Sequence, residues 1–447
     1  MAKSWLTITR RCFTSIVFLA IGVGGAAAAD TDARDRDDRG NGAVYTMTNS
    51  TIGNAIVVYD RAADGTLTRK LPDIPTGGTS IGIFATGNQN GLLLSDDARC
   101  LWAVNSMSNS ISAFKVKGTS LSLMDVVDSG GLRPISLTVN EGLLYVLNAG
   151  GQVGSGDNVS GFTVGKDCGL SSLRGSTRFL SGGKAGNVSP AQVGFSPTGS
   201  VLVVTEKTDN SLFTPTPGSP PPTPGGHITT FIVGRDGLLT SRKSFVPPVT
   251  EPFGFAFDNR GQLLVTGADC TQPEPPFGGL PGCLVPPDHP KLLSYKVARN
   301  GTLTLVDKSV DGKQAAECWI VITDSKKWDS QEFAFAVNAL GGGTATMPLP
   351  AGSITSYLVS PNGRLAKLDV TPIPLNPLGV PVDAALGGNS RFLYVLSEGD
   401  GAIIAYKVGR DGGLTLLNTY PVETVQFPDP TAMPPVPPLF PNGLAAR

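Results

Sequence analysis

Hydrophobic and polar positions recur in a fixed order along the chain. An apolar run is followed by a second run that ends on a polar residue. After a short gap come a third run of the form I-x-x-Y-x-V, a glycine-containing turn and Leu-Thr. The clearest copies are "LLYVLNAG" with "NVSGFTVGKDCGLSSL", "VLVVTEKTDN" with "HITTFIVGRDGLLT", and "FLYVLSEGDGAIIAYKVGRDGGLT". Short runs of this kind, separated by turn residues, predict β-strands.

An aromatic residue in the third run marks each copy, and it occurs seven times. Successive markers are 48 to 69 residues apart, at Tyr59, Phe114, Phe162, Phe231, Tyr295, Tyr357 and Tyr406. Four short antiparallel strands repeated at about this period are typical of a β-propeller with one repeat per blade. The sequence therefore predicts an all-β protein that forms a seven-bladed β-propeller.

Five copies carry Asp-Gly or Asn-Gly between the third and fourth runs, beginning at Asp64, Asp236, Asn300, Asn362 and Asp411. These pairs supply the positive φ angles that tight hairpin turns require. An aspartate before glycine also occurs in calcium loops, but no copy adds further oxygen ligands at regular spacing. The hairpin interpretation is therefore favoured.

The first copy begins at its second strand, "AVYTMTN", so blade one lacks its innermost strand. The last residues, "PNGLAAR", look like the openings of other copies, such as "SPAQVGF" and "EPFGFAF". We therefore expect the C-terminal strand to complete blade one and close the ring. This arrangement removes the open edges that an unclosed ring would expose.

Two proline-rich insertions, Thr214–Gly226 in blade four and Thr271–Pro290 in blade five, account for part of the excess length. Both fall between the second and third strands, which places them on the same rim of the disc. Proline-rich segments are extended and stiff. They are candidate recognition elements.

Composition agrees with this picture, since 56 Gly and 36 Pro favour an all-β chain divided by turns. The net charge of -1 gives no reason to expect nucleic acid or an anionic membrane as a partner. Residues 1–29 have a basic start, a short apolar stretch and small residues, which is typical of a secretory signal.

We predict a secreted or periplasmic protein without a membrane anchor, because no second apolar stretch follows. Both general secretion and twin-arginine export remain open. The predicted organisation is a signal peptide (1–29), a linker of alternating charge (30–41) and the propeller (42–447).

Five cysteines remain after the signal: Cys100, Cys168, Cys270, Cys283 and Cys318. Export permits disulfides, and a bridge between Cys270 and Cys283 would fix the proline-rich loop of blade five. Because the number is odd, at least one thiol is free or pairs with another molecule.

The stretch from "GLLLSDDARCLWAVNSMSNSISAFKV" through "RPISLTVNEGLLYVLNAGG" to "SPAQVGFSPTGSVLVVTEKTDN" resembles the seven-bladed lactonase-like propellers. That group includes 6-phosphogluconolactonases of one structural type and the 3-carboxymuconate lactonizing enzymes. The resemblance covers essentially the whole chain after the signal. It implies a site at the channel mouth for a small lactone or organic acid.

Members of that family with known chemistry use a histidine, a glutamate and arginines at this mouth. The resemblance places the histidine position at Ala191, one arginine at Phe253, the glutamate near Ala268 and a second arginine near Ala339. All four positions depart from the family pattern. The resemblance therefore implies the fold more firmly than the active site.

Other polar residues are expected at the mouth, where loops before the first strand and between the second and third strands converge. Glu206 is a candidate general base and Arg133 a candidate clamp for a substrate carboxylate. Candidate substrate-binding residues are Asn148, Gln192, Asn105, Lys207, Glu251 and Asp269. For each residue a structural role stays open: a solvated turn, a cap of a loop carbonyl, or a local backbone contact.

No cofactor or metal is predicted. The chain has two histidines, His227 and His289, and no third ligand for a catalytic zinc is evident. The glycine-rich segments do not connect a strand to a helix, so they are not phosphate loops.

Two functions are consistent with the sequence. The first is a secreted lactonase-like enzyme that hydrolyses or forms a lactone of a small organic or sugar acid. The second is a non-catalytic propeller that binds a protein, glycan or surface polymer through the proline-rich insertions. Deleting the insertions would abolish binding in the second case and leave turnover largely intact in the first.

Overall fold

The computed structural model describes residues 40–82, 87–150, 156–186, 188–207, 225–249, 251–268, 273–277, 280–283, 290–310, 314–324, 331–341, 352–374, 380–422 and 440–447. These residues form seven antiparallel sheets arranged as the blades of one propeller, which confirms the predicted fold. The described part of the chain has a single helical turn, of the 3-10 type, at Gly183–Ala185. None of its helices is long and apolar enough to cross a membrane.

In each blade the strands follow one another from the channel outward. Blade one contains β31 (Asn442–Ala446), β1 (Gly42–Met47), β2 (Ala55–Arg61) and β3 (Leu67–Pro75). Blade two contains β4 (Leu92–Leu94), β5 (Cys100–Asn105), β6 (Ser110–Lys117) and β7 (Ser120–Asp128). Blade three contains β8 (Pro134–Asn140), β9 (Leu143–Asn148), β10 (Asn158–Val164) and β11 (Leu170–Ser172), with β12 (Arg178–Phe179) also paired to β10. Blade four contains β13 (Pro190–Phe195), β14 (Val201–Glu206), β15 (His227–Val233) and β16 (Leu239–Phe245).

The last three blades repeat this order. Blade five contains β17 (Pro252–Phe257), β18 (Gln262–Gly267), β21 (Pro290–Val297) and β22 (Leu303–Val310). Blade six contains β23 (Gln314–Ile322), β24 (Glu332–Gly341), β25 (Ser353–Val359) and β26 (Leu365–Pro372). Blade seven contains β27 (Pro381–Gly387), β28 (Phe392–Ser397), β29 (Ala402–Val408) and β30 (Leu414–Pro421). A two-stranded hairpin, β19 (Pro273–Phe277) and β20 (Leu280–Cys283), lies between the second and third strands of blade five, where the insertion was predicted.

The second strands are nearly all apolar because both of their faces are buried between blades. In β14, Val201 and Val203 pack in a cluster with blade five, whereas Leu202 and Val204 pack in a cluster with blade three. The seven aromatic markers lie in the third strands and are each at most 5% exposed. The sequence pattern thus follows burial between neighbouring blades.

The predicted hairpin turns are confirmed. The glycines after the five Asp or Asn residues have φ between +75° and +90°. In each turn the Asp or Asn side chain accepts the N–H two residues later, as Asp64 Oδ1 does from Thr66 at 3.0 Å. The turn residues therefore satisfy their own backbone groups.

The predicted ring closure is also confirmed, because β31 pairs antiparallel with β1 and completes blade one. Leu444 lies opposite Thr46, and the Arg447 N–H donates to the Ala43 carbonyl at 3.0 Å. A bulge falls at Gly443, whose φ is +74° and whose added Cβ would lie 2.9 Å from side-chain atoms of Leu92 and Met47. Only glycine fits this backbone.

One disulfide, which the sequence reasoning missed, joins Cys100 at the start of β5 to Cys168 in the turn before β11. It links blade two to blade three. Cys318 is a buried free thiol within the described residues. The predicted Cys270–Cys283 bridge lies outside the described residues, since Cys270 and the Cys283 side chain are not described. Also outside them are the predicted signal peptide, nearly all of the linker, and most of the insertion at Thr214–Gly226.

Candidate active site at the channel mouth

Five innermost strands besides β31 contain a β-bulge at or next to an apolar residue: Ile135, Ala191, Phe253, Cys318 and Val382. All five residues are at most 6% exposed. The last four belong to one apolar cluster that extends across blades four to seven. The bulges therefore gather apolar side chains toward the axis of the ring.

Residues 87–89, which we call the channel segment, cross the centre of the ring. The Gln89 side chain donates to the Ile320 carbonyl of blade six at 2.8 Å and accepts its N–H at 3.3 Å. The Gln89 N–H donates to the Ala191 carbonyl of blade four at 3.3 Å. The Asn88 carbonyl accepts the indole N–H of Trp319 at 2.8 Å. The channel segment thus joins blades that are not neighbours.

Lys207, a predicted substrate-binding residue, holds the other end of the channel segment. Its ammonium donates to the Gly87 carbonyl at 2.7 Å and lies 4.8 Å from the centre of the Phe253 ring. The Phe253 ring in turn packs edge-on against Trp319, with ring centres 5.1 Å apart. Lys207 is 5% exposed, so its charge is held inside the protein.

The predicted asparagines end the second strands and are fully buried. Asn105 donates its amide to the Ser112 hydroxyl at 2.8 Å and accepts the Thr76 hydroxyl at 2.8 Å. Asn148 donates to Asn158 Oδ1 at 3.1 Å, whereas its own Oδ1 has no hydrogen-bond partner among the described residues. Both amides already serve contacts within the protein, and substrate binding by them stays a prediction.

Glu206 occupies the equivalent position at the end of β14 and is 1% exposed. Its Oε1 accepts the Ser181 N–H at 3.3 Å, and its Oε2 accepts the Ser181 hydroxyl. Burial raises the pKa of Glu206, although these hydrogen bonds and the charge of His227 oppose the shift. A carboxyl with a raised pKa is suited to proton transfer near neutral pH.

Arg133 immediately precedes β8 and has a φ of +57°, a left-handed conformation that is uncommon for a residue with a side chain. Its N–H donates to Asn109 Oδ1 at 2.7 Å. Burial lowers the pKa of the guanidinium, and attraction to Asp157 opposes that shift. Its Nε is buried without a hydrogen-bond partner among the described residues. Arg133 thus presents a cation beside an acidic neighbour.

Residues 180–186 and 188, which we call the mouth turn, contact Glu206 and Asp157. Glu206 binds Ser181 on this turn. The Asp157 carbonyl accepts the Leu180 N–H at 3.0 Å, and its Oδ2 accepts the Val188 N–H at 2.7 Å. Asp157 also attracts the Arg133 guanidinium, so the mouth turn contacts Glu206 directly and is linked to Arg133 only through the charge of Asp157.

The remaining predicted site residues are buried or outside the described residues. Gln192 donates to the Phe255 carbonyl at 2.9 Å and accepts the Phe255 N–H at 2.6 Å, which joins blades four and five. Glu251 is 4% exposed. Asp269 lies outside the described residues, as does His289. No group of three or more potential metal-ligating side chains occurs in the part of the chain that the structure describes.

Cys318 is the free thiol nearest to these residues, and burial raises its pKa well above the ordinary value. Glu251 and Glu317 strengthen the shift, while Lys207 and Lys291 oppose it. A thiol with a raised pKa carries little thiolate and is a poor nucleophile. We therefore do not assign cysteine chemistry to this residue.

The four positions that the family resemblance singled out are apolar and packed together. Ala191, Phe253, Ala268 and Ala339 are each at most 7% exposed and belong to the same apolar cluster. Polar groups lie instead around the mouth turn, between blades three and four, and around Cys318.

Sequence reasoning missed Ser181, Asp157 and Gln89. Ser181 had a signal in the repeats, because the corresponding residues after the outer strands of blades one and two are Gly77 and Gly130. No sequence signal pointed to Gln89, since its partner Ile320 is 231 residues away. Such a contact requires the closed ring.

The fold is shared with solved propeller structures of low sequence identity. A periplasmic gluconolactonase from Pseudomonas aeruginosa aligns at 15% identity and a TM-score of 0.60, over 91% of this chain and 99% of that chain. A candidate 6-phosphogluconolactonase from Bacteroides fragilis aligns at 17% identity and a TM-score of 0.56, over 91% and 98%. A second candidate from Bacteroides uniformis aligns at 17% identity and a TM-score of 0.55, over 86% and 97%.

No protein-family model and no curated protein matches the sequence. The structural matches confirm the predicted resemblance at the level of fold. The chain has the seven-bladed architecture of the lactonase-like propellers.

Proposed function

We propose that this protein is an exported enzyme that hydrolyses or forms a lactone of a small organic or sugar acid. Glu206 is the general base and Arg133 holds the substrate carboxylate or the developing anion. The observation that carries the proposal is the mouth turn, where Ser181 hydrogen-bonds to Glu206 and where Asp157, which attracts the Arg133 guanidinium, accepts the Leu180 N–H. The periplasmic gluconolactonase of similar fold supports the same substrate class and compartment.

The chemistry of lactone opening requires both groups. A nucleophile must lose a proton as it attacks the ring carbonyl, and a buried carboxyl with a raised pKa accepts that proton efficiently. Negative charge then develops on the carbonyl oxygen, where a guanidinium stabilises it. The Cys100–Cys168 bridge supports export, because disulfides persist in oxidising compartments.

A second candidate function is a binding platform for a protein, glycan or surface polymer. The channel segment occupies the axis, and the family's polar positions are apolar in this chain. In that case the partner would bind to the rim that carries the two insertions.

The experiment is a hydrolysis screen of the purified protein on aldono-lactones, muconolactones and simple lactones, with acid release as the readout. We expect Glu206→Gln to lower kcat by about 10²–10⁴-fold and Arg133→Met to raise KM by about 10- to 100-fold. Asn338→Ala is the matched control, because Asn338 holds the equivalent position on β24 of blade six and its amide donates within that blade. Absence of turnover, or equal turnover in the wild type and Glu206→Gln, would reject the proposal in favour of the binding platform.

A further inference from the structure

The seven repeats allow each position to be compared with its equivalents in other blades. Thr76, Ser129 and Leu180 each follow the outer strand of their blade. Each donates its N–H to the carbonyl of the residue just before the third strand. The next residue is Gly77 in blade one and Gly130 in blade two, with φ of +80° and +72°. In blade three it is Ser181. A hydroxyl therefore stands where blades one and two have glycine; in blade six, where Ile373 makes the equivalent bond to Gly352, the next residue is Pro374.

A second departure from the repeat faces this serine. At the second-strand position that faces the start of the third strand, blades two, three and six carry Asn105, Asn148 and Asn338, whose amides donate to side chains of the third strand. The equivalent residue in blade four is Glu206, which can only accept when it is ionised. The carboxyl receives both the N–H and the hydroxyl of Ser181. The two departures thus contact each other directly.

The pair has the geometry of an activated nucleophile. Ser181 is partly exposed, whereas Glu206 is buried behind it at 1% exposure. The Ser181 N–H fixes one carboxyl oxygen, so the other oxygen is directed at the serine hydroxyl. A nucleophile bonded to a base that is itself oriented by another group is the general arrangement for covalent catalysis.

We propose that Ser181 is the nucleophile of this site and forms an acyl-enzyme with lactone or ester substrates, with Glu206 as its base. This inference rests on the proposed function for the choice of substrate. Ser181 Oγ bonds to the carbonyl carbon while its proton passes to Glu206. The ring C–O bond then breaks, and the leaving oxygen takes that proton from Glu206.

The second half of the reaction restores the enzyme. Water attacks the ester carbonyl and gives one proton to Glu206, the bond to Ser181 Oγ breaks, and Oγ regains that proton from Glu206. The product is the free hydroxy acid. No oxidant, metal or cofactor enters the balance, because lactone opening consumes only water.

Two measurements test this step. An acid quench of the enzyme during turnover of glucono-lactone, followed by intact-mass and peptide mapping, should show Ser181 carrying the mass of the whole lactone. A fluorophosphonate probe, which reacts with activated serines, should label Ser181 without any lactone present. We expect Ser181→Ala and Ser181→Gly to lower kcat/KM at least 100-fold and Glu206→Gln to slow labelling to a similar degree.

Ser181→Gly is the folding control, since blades one and two carry glycine at this position; its circular dichroism and melting temperature should match those of the wild type. Lactone turnover that persists in Ser181→Ala, with no adduct at Ser181, would overturn the nucleophile and leave the lactonase proposal standing. Fluorophosphonate labelling of Ser181 that requires Glu206, without turnover of any lactone, would retain the nucleophile and reject lactones as substrates. Absence of both labelling and turnover would reject both proposals.

Discussion

Glu206, the proposed general base, shows how burial changes the pKa of one position in a repeat. The carboxyl replaces an amide at the end of a second strand, and burial raises its pKa while hydrogen bonds lower it. A general base acts when it is deprotonated, so kcat/KM should rise with pH through the raised pKa and then level off. We predict that the acidic limb lies above the ordinary glutamate value of 4.5.

Thr229→Val sharpens this prediction. The Thr229 hydroxyl lowers the pKa of Glu206. Its removal should therefore raise that pKa further and move the acidic limb to higher pH. The readout is kcat/KM for lactone hydrolysis between pH 4 and 8. A limb at or below pH 4.5, or one that Thr229→Val leaves in place, would contradict the assignment of Glu206 as the base.

Asp383 predicts a different pH effect, one on stability. It is 2% exposed, and its two oxygens accept the N–H groups of Ala384 and Leu444 at 2.8 and 2.9 Å. Burial outweighs these bonds and raises its pKa from 3.8 to about 7. The folded protein therefore keeps the proton that the unfolded chain loses, so stability falls as pH rises from about 4 to 7, by up to about 4 kcal/mol.

Asp383→Asn should remove this contribution. Between pH 4 and 8 the free energy of unfolding of the variant should change less than that of the wild type, measured by denaturant titration at each pH. Asp369→Asn, at an exposed site on β26, controls for the loss of one negative charge. An equal pH dependence in the wild type and Asp383→Asn would show that the pKa of Asp383 is the same in the folded protein and the unfolded chain.

At the scale of elements, the channel segment replaces a contact that one blade lacks. Gln192 joins blade four to the Phe255 backbone of blade five. The equivalent residue in blade five is Gly254, and a Cβ there would lie 2.4 Å from Gln89 Oε1. Gln89 enters this space and binds Ile320 in the same two-bond manner. A glycine in one strand is thus matched to a side chain from another blade.

We predict that Gln89→Ala and Gln192→Ala destabilise the protein by similar amounts, about 2–4 kcal/mol each. Each change leaves one buried N–H and one buried carbonyl without a partner. Only Gln89→Ala should also loosen the channel segment, and acrylamide should then quench Trp319, whose indole binds Asn88, more efficiently. Equal quenching in the two variants would contradict a distinct role for the channel segment.

The repeated strands could be predicted because the apolar pattern of each strand follows directly from which of its faces are buried. The run "VLVVTE" is apolar at successive positions because both faces of β14 are covered, and Asp-Gly turns record a local backbone requirement. The site was predictable only in part. Glu206 and Arg133 stand out as charges at strand ends, but the Ser181–Glu206 contact requires the folded mouth turn. The Cys100–Cys168 bridge depends on how blades two and three pack.

At the scale of the whole molecule, closure of the ring depends on one short strand. β31 pairs with β1, packs beside β27, and supplies the Leu444 N–H to Asp383 of blade seven. The Arg61 Nε donates to the Arg447 carbonyl at 2.8 Å, which fixes the last residue to blade one. The first and last parts of the sequence therefore stabilise each other.

We predict that a chain ending at Pro441 loses most of its stability. The truncation uncovers the inner edge of β1 and the apolar contacts of Leu444, which together contribute at least about 5 kcal/mol. The melting temperature should fall sharply, and self-association should increase because an unpaired edge recruits other chains. A chain starting at Gly40 is the matched control at the other terminus. Addition of a peptide of residues 440–447 should restore the melting temperature, whereas an unchanged melting temperature after truncation would show that blade one holds the ring closed without β31.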